Sequence, residues 1–166
     1  MFQKKKLDGL KRRKQDWEKK TRDRHLERFL AAGADMLTVH YEACTHLDRT
    51  IDTIKSLGMR AGVAINPHTS VQLLENILPD LDLVLNMTVN PGYGAQELIE
   101  YSYRKIRQLR ELIDKTGSSA LIQVDGGVGL GNIARLKEAG VDVFVVGNTV
   151  FASEDPLETI RQLKQI

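Results

Sequence analysis

Asp125 closes an apolar run that ends in Val124 and stands directly before two glycines, Gly126 and Gly127. A carboxylate at the carboxyl end of a buried strand, followed by a turn without side chains, points toward whatever the neighbouring loops hold. That position suits general acid/base work, above all removal of a proton beside a carbonyl. It equally suits ligation of a divalent cation that steadies the enediolate so formed. The bland alternative is an aspartate that caps the next turn. Two further segments are rich in glycine, Asn90-Pro91-Gly92-Tyr93-Gly94-Ala95-Gln96 and Gly147-Asn148-Thr149. Backbone N–H groups in such turns approach an anion closely, and a helix that starts just beyond adds a field favourable to phosphate. Any one of these segments reads as readily as a plain chain reversal; three on one rim point to an anion cradle. His40 closes another apolar run and is read equally as a packed histidine or as a site residue, whereas His25, His46 and His68 read as surface. Ser153 and Cys44 have no evident base beside them, so a nucleophilic triad lacks support.

These residues need strands to aim them. Short runs with strand character lie at Met36 to His40, Arg60 to Ile65, Leu81 to Met87, Ala120 to Asp125 and Val143 to Gly147. Two share one junction: Ala32-Gly33-Ala34-Asp35 precedes the first run, and Ala139-Gly140-Val141-Asp142 precedes the last. Glycine takes the left-handed conformation past a helix end, and the chain turns straight into a strand. Spacings of three and four place Leu47, Ile51, Ile54 and Leu57 on one helical face, and Ile99, Tyr103, Ile106, Leu109 and Ile113 on another. A first helix carries Leu26, Phe29 and Leu30 and ends at Gly33. The last has Asp155 as N-cap and Pro156 at its first position, with Leu157, Ile160 and Leu163 expected to face inward. Apolar strands alternating with helices imply a parallel sheet covered by helices. Length alone favours an open doubly wound sheet, since a (β/α)₈ barrel takes about 250 residues.

The chain has 166 residues, 42% hydrophobic and 28% charged, within the range of one soluble domain and outside that of fibrous or disordered polymers. No apolar run reaches the roughly 18 residues of a membrane span, the charged start does not read as a secretory signal, and a cytoplasmic location is expected. The single Cys44 allows no internal disulfide and is read as a buried thiol. Charge is uneven: the first 30 residues hold 12 Lys/Arg against 5 Asp/Glu. Residues 1–20 are therefore read as a basic, helical, solvated arm and residues 21–166 as the compact domain. Clustered Lys and Arg can bind phosphate lattices, but no aromatic platform accompanies them, so neither nucleic acid nor membrane is an expected partner.

The segments Thr38-Val39-His40-Tyr41-Glu42-Ala43, Met87 to Gln96, Val124 to Val128 and Gly147 to Phe151 resemble the ribulose-phosphate 3-epimerase family in order and spacing. The resemblance covers roughly Arg22 to Ile166. It implies an α/β fold of (β/α)₈ TIM-barrel type, here incomplete, with about five parallel β/α units behind the basic N-terminal helix. The implied activity is interconversion of D-ribulose 5-phosphate and D-xylulose 5-phosphate in the pentose phosphate pathway, by metal-assisted proton transfer at C3. Carried over by position, Asp125 resembles the aspartate that both binds the metal and moves a proton. Gly92, Tyr93, Gly94, Ala95, Gly126, Gly127, Gly147 and Asn148 resemble the substrate and phosphate loops, and His40 and Met87 resemble pocket-lining residues. The implied cofactor is a divalent cation (Zn, Fe, Mn or Co) and the implied ligand a small sugar phosphate.

Against that resemblance the chain lacks about three leading β/α units, with a serine, two histidines and a second aspartate that the family carries on them. Inversion needs an acid and a base on opposite faces of one carbon, so a lone Asp125 leaves the activity of this shortened form in question and the metal's ligand set incomplete. Glu42 is a candidate for the missing acid. Ala95 stands where glycine is usual in the family. Unpaired sheet edges are expected to seek partners and to favour a homo-oligomer. The other readings are a hexulose-6-phosphate 3-epimerase and a non-catalytic sugar-phosphate-binding or interaction protein.

Overall fold

The structure, a computed structural model, describes residues 25–166; the basic arm expected over residues 1–20 lies outside them. Five strands, β1 (Met36–His40), β2 (Arg60–Ile65), β3 (Leu83–Met87), β4 (Leu121–Asp125) and β5 (Val143–Val145), form one sheet. Its order is β1-β2-β3-β4-β5 and every pair is parallel. This order decides the architecture. A doubly wound sheet reverses its strand order part way, whereas a barrel adds each new strand beside the last. The helices are α1 (residues 25–31), α2 (Leu47–Ser56), α3 (Ser102–Thr116), α4 (Ile133–Glu138), α5 (Asn148–Phe151) and α6 (Pro156–Lys164).

Alternation along each strand sorts the side chains. Val63, Ile65, Val84, Ile122 and Val124 meet Ile51, Ile54, Ile106 and Leu109 in the core. The other face carries His40, Leu85, Met87, Gln123, Asp125 and Val145, all less deeply covered. His40 pairs with Ala64, Ala64 with Leu85 and Leu85 with Gln123, while Met87 pairs with Asp125. The strand-entry junctions are built alike. Gly33 and Gly140 both have left-handed φ, 88° and 108°. Ala34 N donates to Phe29 O and Val141 N to Leu136 O, closing both helix ends in the same way. Asp82 and Asp142 then accept from the neighbouring strand's Ala61 N and Ile122 N at 2.8 and 2.7 Å, which sets the stagger.

Several boundaries differ from the sequence expectation. β3 starts at Leu83 because a short 3₁₀ turn, Leu78–Asp80, and the Asp82 contact occupy the preceding residues. β5 ends at Val145, since it has a neighbour on one side alone. Ile99 precedes α3 and its N–H donates to Thr88 O in the loop. In α1 Leu26 is buried, but Phe29 and Leu30 are exposed. α6 is capped by Asp155 as expected, yet Leu157 and Ile160 are exposed; it lies at the β5 margin against α5, and Leu163 reaches the core. Cys44 is partly rather than fully buried. No helix among the described residues is long and apolar enough to cross a membrane.

One core position is mismatched. Asn86, on β3 between Ile65 and Val124, is fully buried, and neither atom of its amide has a hydrogen-bond partner. An unsatisfied buried amide costs about 1–3 kcal/mol. Asn86→Leu, of similar shape, is therefore expected to raise the stability by about 1–3 kcal/mol, read as a higher urea midpoint at unchanged slope.

Candidate functional site

Parallel strands wound in one direction bring their carboxyl ends to one rim, and the turns that follow β3, β4 and β5 enclose a cavity of about 640 Å³. Asp125 lines it, as do Met87, Gly92 to Ala95, Gly126, Gly127, Gly147 and Asn148. The carboxylate and all three glycine turns thus border one space. Tyr93 is largely exposed at the lip.

Side chains that sequence reading passed over brace these turns. Buried Thr88 donates through Oγ1 to Asp125 O at 2.9 Å and to Gly126 O at 2.5 Å, and its N–H also reaches Asp125 O. Gln96 Nε2 donates to Asn90 O and Tyr93 O, both at 2.8 Å, folding the 90–96 loop back on itself. Asn132 donates to Gly127 O at 2.8 Å, and Thr149 Oγ1 to Val128 O at 2.7 Å. None forms a recognisable motif, because each bonds a carbonyl that is distant in sequence or common to any loop.

The glycines are not all there for a ligand. Gly126 has φ 114°, and a Cβ on it would run into Val89; Gly127 has φ 66°, and a Cβ would stand 2.5 Å from Leu98 N. Chain packing alone therefore requires both. At Gly94 and Gly147 a Cβ would meet nothing, so the free space there belongs to the cavity. Ala95 is a non-glycine residue with left-handed φ, 58°, a conformation that costs an L-residue roughly 1–2 kcal/mol. The expected help from helix fields is slight, since α3 begins at Ser102 and α5 is a single turn.

His40 lies on the same sheet face as Asp125, three strands away and level with Gln123. It lines a separate cavity of about 470 Å³ with Glu42, Asn66, His68 and Asn90, which meets the first cavity at Pro91. His25, His46 and His68 are exposed. Glu42 is fully engaged. Oε1 accepts from Asn66 N at 2.9 Å and from the Thr69 hydroxyl, and Oε2 contacts His40 Nδ1. Burial by itself would raise the Glu42 pKa, but the bonds from Thr69, Asn66, its own N–H and His40 outweigh it and hold the carboxyl at about 2. An acid so held does not donate protons near neutrality, and Glu42 does not stand in for a second acid. Beneath it Lys105, 6% exposed, donates from Nζ to Asn66 O at 2.5 Å and Pro67 O at 3.2 Å. Burial lowers its pKa to about 8 against the opposing pull of Glu42.

Among the described residues no group of three or more His, Cys, Asp or Glu side chains is arranged to hold a metal ion. Glu97 is the one other side chain of this kind on the Asp125 cavity, and two carboxylates fall short of the roughly three protein ligands a catalytic metal takes, so a resident divalent cation does not fit the described residues.

Residues 19–151 match the model of the ribulose-phosphate 3 epimerase family. The chain is 46% identical over 143 residues to the ribulose-phosphate 3-epimerase of Bacillus subtilis (strain 168), covering 86% of this chain and 66% of that protein. It is 40% identical over 142 residues to the enzyme of that name from Escherichia coli (strain K12), covering 86% and 63%. The chain thus spans just under two thirds of the length of these relatives. Among solved structures, it is similar to the tryptophan synthase A-subunit of Pyrococcus furiosus, with TM-score 0.67, 18% identity and coverage of 87% and 60%. It is also similar to a 3-hexulose-6-phosphate synthase, with TM-score 0.63, 18% identity and coverage of 86% and 67%. At such identities the likeness is one of fold, an incomplete (β/α)₈ barrel.

The two shifted groups give stability a pH signature. Glu42 sits below its ordinary 4.5, so its contribution is full above pH 4.5 and is lost as pH falls toward 2. Lys105 sits below its ordinary 10.5, so the unfolded chain binds the extra proton between pH 8 and 10.5 and stability rises with pH across that window. Urea unfolding against pH is expected to lose the acid slope in Glu42→Gln and the alkaline slope in Lys105→Met.

Proposed function

Because the chain belongs to the ribulose-phosphate 3-epimerase family, we propose that it binds a ketose phosphate and exchanges the proton on the carbon beside the carbonyl. The observation that carries this reading is the single cavity shared by Asp125 and the three turns. The phosphate is bound by N–H groups of the turns near Gly94 and Gly147, where no side chain stands in the way. Asp125, as carboxylate, takes the proton from C3 of D-ribulose 5-phosphate, and the negative charge moves onto the carbonyl oxygen as the enediolate forms. The same carboxyl returns a proton to the face it was taken from.

Inversion needs a second group on the other face. His40 lines the adjoining cavity rather than this one, the Glu42 oxygens are committed elsewhere, and Glu97, the other carboxylate on this cavity, is exposed in the loop. Exchange with retention is therefore the reaction the described residues support by themselves, and net epimerisation to D-xylulose 5-phosphate is the family reaction they support in part. The same loops would accept a hexulose 6-phosphate, and parallel assays on both sugars separate the two substrates.

Self-association through the free edges of β1 and β5 is a further part of this reading. It is supported by the exposed Val145, Phe151 and Leu157 along the β5 margin. Sedimentation velocity is expected to show a dimer or larger species that Val145→Lys shifts toward monomer.

In D₂O the chain is expected to place deuterium at C3 of D-ribulose 5-phosphate faster than buffer does, as read by NMR. Asp125→Asn is expected to lower that rate by about 100-fold or more. Exchange no faster than buffer, or exchange that survives the substitution, overturns the assignment.

A further inference from the structure

The cluster around Glu42 has no part in proton transfer at Asp125, yet it is the most heavily bonded group on the rim. Its carboxylate joins the ends of β1 and β2 by accepting from His40 on one side and from Asn66 and Thr69 on the other. Lys105, from α3, clamps the carbonyls of Asn66 and Pro67 from below and supplies the counter-charge. An ionised carboxylate accepts only, so the hydrogen of the neutral His40 ring is on Nδ1. Nε2 then carries the lone pair, in a ring that lines the cavity shared with Asn66, His68 and Asn90. This cavity offers imidazole and amide groups, the chemistry that recognises hydroxyls, and it opens onto the Asp125 cleft at Pro91. His40 and Asp125 stand three strands apart on one sheet face and line adjoining cavities. That arrangement suits two side chains with a short hydroxylated chain between them.

We infer that Glu42 is a positioning residue that fixes the His40 ring, and that Nε2 of His40 accepts a hydrogen bond from the terminal hydroxyl of the sugar phosphate, on the carbonyl side of the reacting carbon. The ligand in this inference rests on the proposed function; the role of Glu42 does not. Glu42→Gln makes a specific alteration. The two donors Asn66 N–H and Thr69 Oγ1–H claim the amide oxygen of the new side chain, which turns its NH₂ toward His40. Nδ1 must then accept, the hydrogen moves to Nε2, and the acceptor facing the cavity is lost.

The test uses the whole chain labelled with ¹⁵N at histidine, at a pH where the ring is neutral. The expected result is an unprotonated Nε2 in the unaltered protein and a protonated Nε2 in Glu42→Gln, with Asn66 amide protection retained as the control for folding. Binding is measured with D-xylulose 5-phosphate and with 1-deoxy-D-xylulose 5-phosphate, which lacks the terminal hydroxyl. The unaltered chain is expected to prefer the hydroxylated sugar by about 5- to 10-fold, the worth of one neutral hydrogen bond, and Glu42→Gln to abolish that preference. A protonated Nε2 in the unaltered protein, or one insensitive to the substitution, overturns the role of Glu42. Equal affinity for the two sugars in the unaltered chain overturns the hydroxyl contact. Binding of neither sugar overturns the substrate reading and the contact together, while the nitrogen assignment still decides the role of Glu42.

Discussion

Strict in-order pairing of parallel strands is the constraint from which the rest follows. Each β/α unit returns the chain to the same end of the sheet, so every strand delivers its carboxyl end, and the turn after it, to one rim. The same winding puts the packed helices on one face and leaves the other to hold Met87, Gln123 and Asp125. A carboxylate and three turns that are far apart in the chain become neighbours for this reason, and hydrogen bonds from Thr88 and Thr149 then tie the turns together.

The rim is stiffened in two different ways. On the β3 to β5 side the turns are tied by neutral hydroxyl and amide groups, Thr88, Gln96, Asn132 and Thr149, each donating to main-chain carbonyls. Such bonds leave the N–H groups of the turns available and add no charge to compete with an anion. On the β1 and β2 side the tie is ionic, with Glu42 and Lys105 sharing the turn after β2. Charge is tolerable there because both oxygens of the Glu42 carboxylate and the Lys105 ammonium are hydrogen-bonded. Both pKa values are lowered, for different reasons: at Glu42 hydrogen bonding overcomes the effect of burial, and at Lys105 burial prevails.

The two ends of the sheet show what the described residues leave uncovered. β5 is short, α5 is one turn, and α6 presents Leu157 and Ile160 outward although its spacing reads as an inward face. A helical stripe is buried only where another element lies against it, and at this margin α5 and the core cover only part of α6, including Thr159 and Leu163. α1, beside the other edge, shows the same in Phe29 and Leu30.

Much of the fold was legible because its signals are local. Alternating apolar runs, the paired Ala-Gly junctions at Gly33 and Gly140, and the Asp155-Pro156 helix start each depend on a few adjacent residues, and all appear as read. The composition of the cavity was legible too, since Asp125 and the turns at 92–95 and 147–148 each mark a strand end. What tertiary structure alone decided was the set of contacts between remote positions. Length favoured a doubly wound sheet and the family resemblance implied a barrel, and the in-order pairing bears out the barrel. Glu42 and Lys105 look like ordinary surface charges until α3 is laid across the turn after β2, and Asn86 looks like an ordinary strand residue until the sheet closes over it. Periodicity states which face a residue occupies. What lies opposite that face depends on which distant strands and helices come to rest there, and that is a property of the assembled chain.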